Sequence, residues 1–382
     1  MAAATASTNS VGNSDATSSP SPNHIQAFTL FPLHFTISPS ISLYISEFCV
    51  LEICGNLQYY IIGDIMRTLE IGKNDANQRL DKFLQKRFKT MPKAMMYMYI
   101  RKKCIKLNGK KCDIDSRLHE GDVLTFYIKD EFFEQSEQKS YEFMKAPAKF
   151  DIVYEDENIL LIDKKPGVIV HPDKSYHFDS LVSRVQHYLY EKGEYDPVAE
   201  KAFSPALVNR IDRNTGGIII AAKNAESLRI LNKKMKTREL EKFYLCLLHG
   251  KPAMESDTLH GYITKNESKN KVTVHKTEVE GSKEILTKYE ILSFDGRYSL
   301  CEVELLTGRT HQIRAHMASI GHPLAGDTKY GRKKAPDFLK HQALYSYKLR
   351  FNFTEDAGVL NYLNGKEFEV EKSEILKRWN VN

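Results

Sequence analysis

The sequence is organised around Leu207 to Lys223, which read L-V-N-R-I-D-R-N-T-G-G-I-I-I-A-A-K. The second half of this stretch, Ile218 to Ala222, is a short, unbroken apolar run rich in β-branched residues. Such a run predicts a strand that is buried on both faces. We expect the polar first half to form a loop leading into this strand, with the paired glycines permitting tight backbone there.

One carboxylate, Asp212, lies in this polar loop between Arg210 and Arg213. Guanidinium neighbours favour the ionised form of a carboxylate, which suits a nucleophile or a base. A surface ion pair at the entrance of a strand would have the same composition, since structural ion pairs also perturb carboxylates. The residues of this stretch alone leave both interpretations open.

The composition is that of an ordinary soluble protein with room for two or three domains. The chain has 382 residues, of which 42% are hydrophobic and 27% are charged. The net charge of +6 is mild, so the location of the positive charge matters more than its sum.

The cysteines and histidines do not follow a pattern typical of a metal site or a disulfide framework. The 6 cysteines form no C-x-x-C pair, so we expect reduced thiols in a cytoplasmic protein. Three histidines lie close together, but none has an acidic or thiol neighbour at metal-ligand spacing. We therefore expect no metal at His311, His316 or His322.

Residues 1–65 differ in composition from the rest of the chain. Residues 1–23 are rich in Ala, Ser, Thr and Asn and lack Lys and Arg, which predicts disorder. Residues 25–65 are apolar and aromatic, but prolines interrupt them and no stretch is long enough to predict a membrane span. A secretory signal is not expected either, because a basic first region is missing. We expect the fold to begin at Met66 and residues 1–65 to be a disordered or non-native extension.

Residues 66–129 are predicted to form a small domain. A first helix opens at Arg79, a second begins at Pro92, and a strand follows that ends in an Asn-Gly turn. Between Arg79 and Lys111 lie twelve lysines and arginines against a single acid, Asp81, which favours phosphate binding over a merely solvated face. The candidate phosphate contacts are Arg79, Lys82, Arg101, Lys102, Lys103 and Lys106.

The order of helix, helix and strand in this domain resembles the small αL module that a small-subunit ribosomal protein shares with many RNA-modifying enzymes. The resemblance implies that its basic side chains contact RNA. Residues 130–148 are polar and charged and predict a linker. Residues 149–382 are then the second domain, which opens with a strand, an acidic turn, another strand and a Lys-Pro-Gly turn.

Two further stretches of the second domain carry candidate functional residues. After a basic helix, alternation along the strand from Glu241 to Cys246 places Lys242 and Tyr244 on the same face. Taken alone, this Tyr reads as ordinary sheet packing. The stretch T-G-R-T-H-Q-I-R-A-H-M, residues 307–317, predicts a helix from its first arginine onwards. On such a helix the two arginines, Arg309 and Arg314, would lie about 140° apart.

Three of these stretches together resemble the RluA-type pseudouridine synthases and occur in the order of that family. The family patterns are H-R-L-D-x-x-T-S-G, a Lys-x-Tyr strand and G-R-T-H-Q-I-R-x-H; here they match residues 209–217, 242–244 and 308–316. The chain departs from the first pattern at Asn209, Ile211 and Gly216. These departures leave Arg210 and Asp212 in place.

The resemblance implies an α+β catalytic domain with a mixed, mainly antiparallel sheet. It also implies that this domain isomerises uridines to pseudouridine, with large-subunit ribosomal RNA as the expected substrate. It implies Asp212 as nucleophile or general base, Arg314 as its bidentate partner and Tyr244 stacked on a base flipped out of the helix. It needs no cofactor. We expect a monomer without metal or membrane, whose further RNA contacts are Arg210, Arg213, Lys242 and Arg309.

Two other functions would use some of the same features. A catalytically silent RNA-binding or ribosome-assembly factor of the same fold is the alternative, and the intact Asp, Tyr and Arg set argues against it. A zinc deaminase also flips bases, but its H-x-E and C-x-x-C ligand pattern is absent from the sequence.

Overall fold

The computed structural model divides the chain into two compact units, Met1–Ile65 and Met66–Asn382. It describes residues 66–133, 141–172, 178–268, 270–331 and 339–379, together with four short strands in the first unit. The disorder predicted for residues 1–23 lies outside the described residues. The four strands pair as two antiparallel hairpins, β1 with β2 and β3 with β4: β1 (His34–Ser38), β2 (Ile41–Tyr44), β3 (Leu51–Ile53) and β4 (Asn56–Gln58).

The second unit begins with a small sheet of order β5-β8-β6-β7 and two helices. Asn108 and Gly109 both have positive φ, 50° and 72°, so they form the predicted tight turn between β6 and β7. The apolar faces of both helices pack with the sheet, as the helical spacing predicts. The elements are β5 (Arg67–Glu70), α1 (Leu80–Arg87), α2 (Lys93–Arg101), β6 (Ile105–Leu107), β7 (Lys110–Lys111) and β8 (Val123–Phe126).

The predicted linker, residues 130–148, packs against the protein at both of its described ends. Phe132 and Phe133 are buried in the core of the small sheet and its helices. Phe143 is buried in the core of the following domain, and Ala146 is buried as well. Both described ends of the predicted linker therefore belong to the cores of the neighbouring domains.

Backbone and side-chain hydrogen bonds fasten the loop before α1 to the domain that follows. The buried carboxylate of Asp75 accepts N–H bonds from three successive residues, Lys201, Ala202 and Phe203, each at 3.0 Å. The side-chain oxygen of Asn74 accepts the Ala225 N–H at 3.0 Å. The small sheet is thus held in a defined orientation on the larger domain.

The larger domain is built on one sheet of order β15-β14-β16-β17-β13-β18-β12-β10-β9, with β11 on β12 and β19 on β18. Among the described strands only β12 and β18 pair in parallel, so the α+β class and the mixed, mainly antiparallel sheet are confirmed. The strands are β9 (Asp151–Glu155), β10 (Ile159–Lys164), β11 (Ala206–Leu207), β12 (Gly216–Ala222), β13 (Leu240–His249), β14 (Ser256–Asn266), β15 (Lys271–His275), β16 (Lys283–Phe294), β17 (Tyr298–Glu304), β18 (Leu344–Phe351) and β19 (Glu367–Glu369).

Four α-helices and two short 3-10 helices accompany this sheet in the described part of the chain. The 3-10 helices span Glu142–Lys145 and Gly358–Leu363. No helix among the described residues is long and apolar enough to cross a membrane. The α-helices are α3 (Leu181–Glu191), α4 (Ala225–Lys236), α5 (Gln312–Ser319) and α6 (Lys372–Arg378).

Strand β12 is buried along its whole length, which confirms the prediction from its apolar run. Its two glycines lie where it runs parallel to β18. A Cβ atom on Gly216 would lie 2.3 Å from the ring of Tyr345, and one on Gly217 would lie 2.2 Å from the Ser346 carbonyl oxygen. Gly217 also has φ of +116°, which side chains disfavour. The paired glycines therefore allow the close approach of two central strands.

Helix α5 begins at Gln312, so the prediction of a helix starting at Arg309 was wrong. His311, just before α5, adopts a left-handed backbone with φ of 52°, which breaks helical geometry. The side chain of Gln312 then ties the preceding turn together, because its oxygen accepts the Arg309 N–H at 3.0 Å and the Thr307 hydroxyl at 2.8 Å. Arg309 is exposed in this turn, and the angle predicted between Arg309 and Arg314 on one helix does not apply.

Candidate active site

The loop that carries Asp212 is held to β12 by Asn209, one of the three residues that differ from the family pattern. The buried side chain of Asn209 donates to the Ile218 carbonyl at 3.1 Å and accepts the Ile220 N–H at 2.8 Å. The Thr215 N–H closes a turn on the carbonyl oxygen of Asp212 at 3.0 Å. The loop thus enters β12 with both of its ends fixed.

A buried lysine joins this loop to the turn after β10. The ammonium of Lys164 donates to three carbonyl oxygens, those of Lys165 at 3.1 Å and of Val168 and Arg213 at 2.9 Å. Burial lowers the pKa of Lys164 to about 7, while the charge of Asp212 opposes that shift. Sequence reasoning missed this residue, because a Lys-Pro-Gly turn alone carries little information.

The charged partner of Asp212 is Arg314, which α5 brings to it across 102 positions of sequence. Nη1 of Arg314 donates to Oδ2 of Asp212 at 2.6 Å. Among the described residues neither arginine beside Asp212 in sequence forms an ion pair with it: Arg213 donates from Nε to the Gly167 carbonyl, and Arg210 is exposed. The guanidinium that contacts Asp212 therefore comes from a distant part of the sequence and not from its two neighbours.

The bidentate partner of Arg314 is Asp327 and not Asp212, which corrects the expected geometry. Nε and Nη2 of Arg314 donate to the two oxygens of Asp327 at 2.7 and 3.0 Å. Burial opposes ionisation of Asp327, but the bonds and charge of Arg314 outweigh it and lower the pKa of Asp327. Sequence reasoning missed this role, although the G-D-T-K-Y-G stretch after His322 held the signal.

His311 and Tyr330 complete the cluster around Asp212. Nε2 of His311 lies 3.8 Å from Oδ2 of Asp212, and its Nδ1 lies 2.8 Å from the hydroxyl of Tyr330. The guanidinium of Arg314 lies over the ring of Tyr330, 5.3 Å from its centroid. Two carboxylates, one guanidinium, one imidazole and one phenol are therefore assembled from three separate parts of the sequence.

Tyr244 of β13 packs close to this cluster. It is buried with Ile313 and Ile211, and its hydroxyl hydrogen-bonds Ser346. Burial and the charge of Asp212 raise the pKa of Tyr244 to about 12, so the phenol keeps its proton at neutral pH. The predicted companion on this strand, Lys242, instead has its ammonium 3.2 Å from the Met235 sulfur of α4.

The predicted RNA contacts of the small domain differ in their surroundings. Arg79 is bound by both oxygens of Asp81, at 3.0 and 3.3 Å. Lys106 is half-buried, with its ammonium 5.1 Å from the ring centroid of Tyr127. Four are exposed, and in the described part of the chain none of these has an acidic partner within ion-pair distance: Lys82, Arg101, Lys102 and Lys103.

The described residues contain no group of three or more His, Cys, Asp or Glu side chains that could hold a metal ion. Both carboxylates of the cluster around Asp212 are already bound by the guanidinium of Arg314. The chemistry of the cluster is therefore that of a carboxylate held and oriented by an arginine.

Comparison with known proteins identifies the family of this chain. Residues 158–319 match the RNA pseudouridylate synthase family. An uncharacterized RNA pseudouridine synthase of Mycoplasma capricolum is 32% identical over 305 residues, covering 78% of this chain and 94% of that protein. The ribosomal large subunit pseudouridine synthase C of Vibrio cholerae is 30% identical, covering 70% and 81%. The solved human RNA pseudouridylate synthase domain containing 4 aligns with a TM-score of 0.47 and 18% identity, covering 65% of this chain and 98% of that one. The chain belongs to the RluA-type family of RNA pseudouridine synthases and is an enzyme of that kind.

Proposed function

We propose that Asp212 is the catalytic carboxylate of this enzyme and that its substrates are uridines of large-subunit ribosomal RNA. The observation that carries the first part is the difference between the two carboxylates that share Arg314. The side chain of Asp327 is 0% exposed, whereas that of Asp212 is 24% exposed. In the described part of the chain, Oδ1 of Asp212 has no hydrogen bond. Asp212 is thus the member of the pair that a substrate can reach.

The isomerisation sets what these groups must do. The bond between N1 of the base and C1′ of the ribose breaks, the detached ring turns, and C5 bonds to C1′. C5 then loses a proton and N1 gains one, so the atoms of substrate and product are the same. Asp212 serves as nucleophile or as general base in the first part of this sequence, and both roles need a carboxylate in the fixed orientation that the bond from Arg314 provides.

Tyr244 and three arginines are proposed to hold the RNA around this reaction. The target uridine has to leave the helix to reach Asp212, and Tyr244 stacks on the flipped base. Since its phenol stays protonated at neutral pH, Tyr244 acts as a hydrogen-bond donor and not as a base. Arg210, Arg213 and Arg309 are exposed and are proposed to bind the backbone on either side of the flipped nucleotide.

The small domain, residues 66–129, is proposed to be an αL-type RNA-binding module. Among the described residues, its exposed Lys82 on α1 and the basic residues at the end of α2 have no acidic partners, so they are available to neutralise phosphates. The hydrogen bonds of Asn74 and Asp75 to the catalytic domain support a fixed distance between this surface and Asp212. RNA bound by the module would then present a defined set of uridines to the site.

The choice of large-subunit ribosomal RNA rests on what relatives are named for, such as the Vibrio cholerae ribosomal large subunit pseudouridine synthase C. The test is carbodiimide mapping of pseudouridines in all RNA from cells with and without the protein. The proposal expects one or a few large-subunit sites to disappear and to return when the native chain is supplied. Sites that disappear only from transfer or small-subunit RNA would contradict the proposed substrate while leaving the role of Asp212 intact.

A further inference from the structure

His311 has a backbone conformation that the surrounding structure must hold in place. Its φ of 52° lies in the left-handed region, which residues with side chains adopt rarely and mostly at sites with a special role. Its carbonyl oxygen accepts the Ala315 N–H at 2.9 Å and so begins the hydrogen bonding of α5. The result is an imidazole that lies beside Asp212, largely shielded from solvent, and not on the helix.

The hydroxyl of Tyr330 hydrogen-bonds Nδ1 of His311 and so orients the imidazole. The hydroxyl oxygen of Tyr330 accepts the Val272 N–H of β15 at 2.9 Å. The same oxygen lies 2.8 Å from Nδ1 of His311, so the Tyr330 hydroxyl can donate its proton to Nδ1. Because Nδ1 accepts this bond, the neutral ring carries its own proton on Nε2. Burial lowers the pKa of His311, which favours this neutral form.

The protonated nitrogen faces the oxygen of Asp212 that Arg314 already holds. The distance from Nε2 to Oδ2 is 3.8 Å, longer than a hydrogen bond. Catalytic contacts are often long without substrate and shorten in the substrate complex. The charged and titratable groups that surround His311 come from four elements: Asp212 from the loop, Arg314 from α5, Asp327, Lys329 and Tyr330 from the turn after α5, and Lys271 of β15 over the Tyr330 ring.

We propose that His311 is a positioning residue for Asp212: as a neutral donor from Nε2 it holds Oδ2 together with Arg314, so that Oδ1 faces the uridine. This inference rests on the proposed catalytic role of Asp212. Protonation of His311 at acid pH places a proton on Nδ1, which then can no longer accept from the Tyr330 hydroxyl, and the imidazole loses the bond that orients Nε2 towards Asp212. His311 therefore contributes to the loss of activity on the acid side of the pH profile.

Two variants with side chains of similar length separate the effect of the Nε2–H donor of His311 from the effect of its side-chain size. His311→Gln keeps a neutral N–H donor near the position of Nε2 but cannot be protonated, whereas His311→Met has no donor. We expect His311→Met to lower the single-turnover rate about tenfold with unchanged RNA affinity, since a small misplacement of a reacting group has effects of this order. We expect His311→Gln to stay within about threefold of the native rate, with its acid limb shifted to lower pH.

The control is His322→Gln, which alters a histidine that bonds the His249 carbonyl, and it should leave rate and pH profile unchanged. A native rate for His311→Met, or equal rates for His311→Met and His311→Gln at the native melting temperature, would overturn the inference. If these variants do not fold, Tyr330→Phe removes only the hydroxyl, and an unaltered acid limb would overturn it equally. Asp212→Asn is measured alongside: activity there refutes the role of Asp212, whereas inactivity with a normal His311→Met refutes only the role of His311.

Discussion

Asp327 binds the guanidinium of Arg314 with two hydrogen bonds, of 2.7 and 3.0 Å, and thereby aims the remaining nitrogen at Asp212. The planar fork of an arginine is what allows one side chain to hold two carboxylates at fixed angles. Because Asp327 is fully buried, its position is set by the core and not by solvent. Buried Asp327 therefore fixes Arg314, and Arg314 in turn fixes the orientation of Asp212.

The first prediction concerns the planar guanidinium of Arg314. Arg314→Lys keeps the positive charge but cannot make the two bonds to Asp327 and the bond to Asp212 together. One bond to a charged group contributes about 1.5–3 kcal/mol, so the single-turnover rate should fall at least about tenfold. The matched control is Arg309→Lys in the preceding exposed turn, which should change RNA affinity more than rate. Near-native single turnover by Arg314→Lys would contradict the pairing described for Asp212.

The second prediction concerns stability and pH. The pKa of Asp327 is lowered because Arg314 outweighs the effect of burial, so ionised Asp327 stabilises the fold above the ordinary pKa of 3.8. This contribution is lost as the pH falls through the lower folded value. Urea unfolding should therefore show a constant free-energy difference between the native chain and Asp327→Asn above about pH 4. Below that pH the difference should shrink by up to about 1.4 kcal/mol per unit, and a difference that stays constant down to about pH 3 would contradict this.

The third prediction compares two adjacent lysines. Lys164→Met removes the ammonium that three carbonyl oxygens accept from, including that of Arg213 in the loop of Asp212. We expect the free energy of unfolding at about pH 6, where Lys164 is charged, to fall by about 2–4 kcal/mol. Lys165→Met removes only an exposed ion pair with Asp151 and should cost less than about 1 kcal/mol. Equal decreases for the two variants would show that Lys164 does not anchor the loop.

The fourth prediction tests the proposed RNA-binding module. Replacing Lys82, Arg101, Lys102 and Lys103 by Ala should reduce the slope of log affinity against log salt. Each phosphate that is no longer neutralised should reduce it by about 0.7 on single strands and about 0.9 on duplex. The rate at saturating enzyme should fall much less than the affinity, since these residues lie outside the Asp212 cluster. Lys377→Ala on α6 is the control. An unchanged salt slope would mean that these side chains are only a solvated face.

The elements that local sequence determines were predicted well. Each of these elements depends on residues that are close to one another in sequence. They are strand β12, the amphipathic helices α1 and α2 of the small domain, and the Asn108-Gly109 turn. The start of α5 was predicted three residues too early, because periodicity does not reveal that His311 adopts a left-handed conformation. That conformation depends on contacts with Tyr330 and Asp212, which lie far away in sequence.

The sequence predicted which residues form the site better than it predicted the contacts between them. The family resemblance named both Asp212 and Arg314, and the structure brings them into contact. Spacing could not show that Asp212 pairs with Arg314 and not with the two arginines beside it, nor that Asp327 makes the two-bond contact with Arg314. Both facts depend on how α5 and the turn after it pack against the loop, which is a long-range property of the fold. The same holds for Lys164, whose three acceptors become visible only when the chain is folded.

The central claim is that Asp212 is the carboxylate that acts on the uridine. The most direct measurement is the single-turnover rate of Asp212→Asn on the mapped RNA substrate, since Asn preserves size and removes the charge. The account predicts a rate at least about a thousandfold below that of the native chain, with the melting temperature and RNA affinity of the native protein. An Asp212→Asn enzyme that forms pseudouridine within about tenfold of the native rate would contradict it.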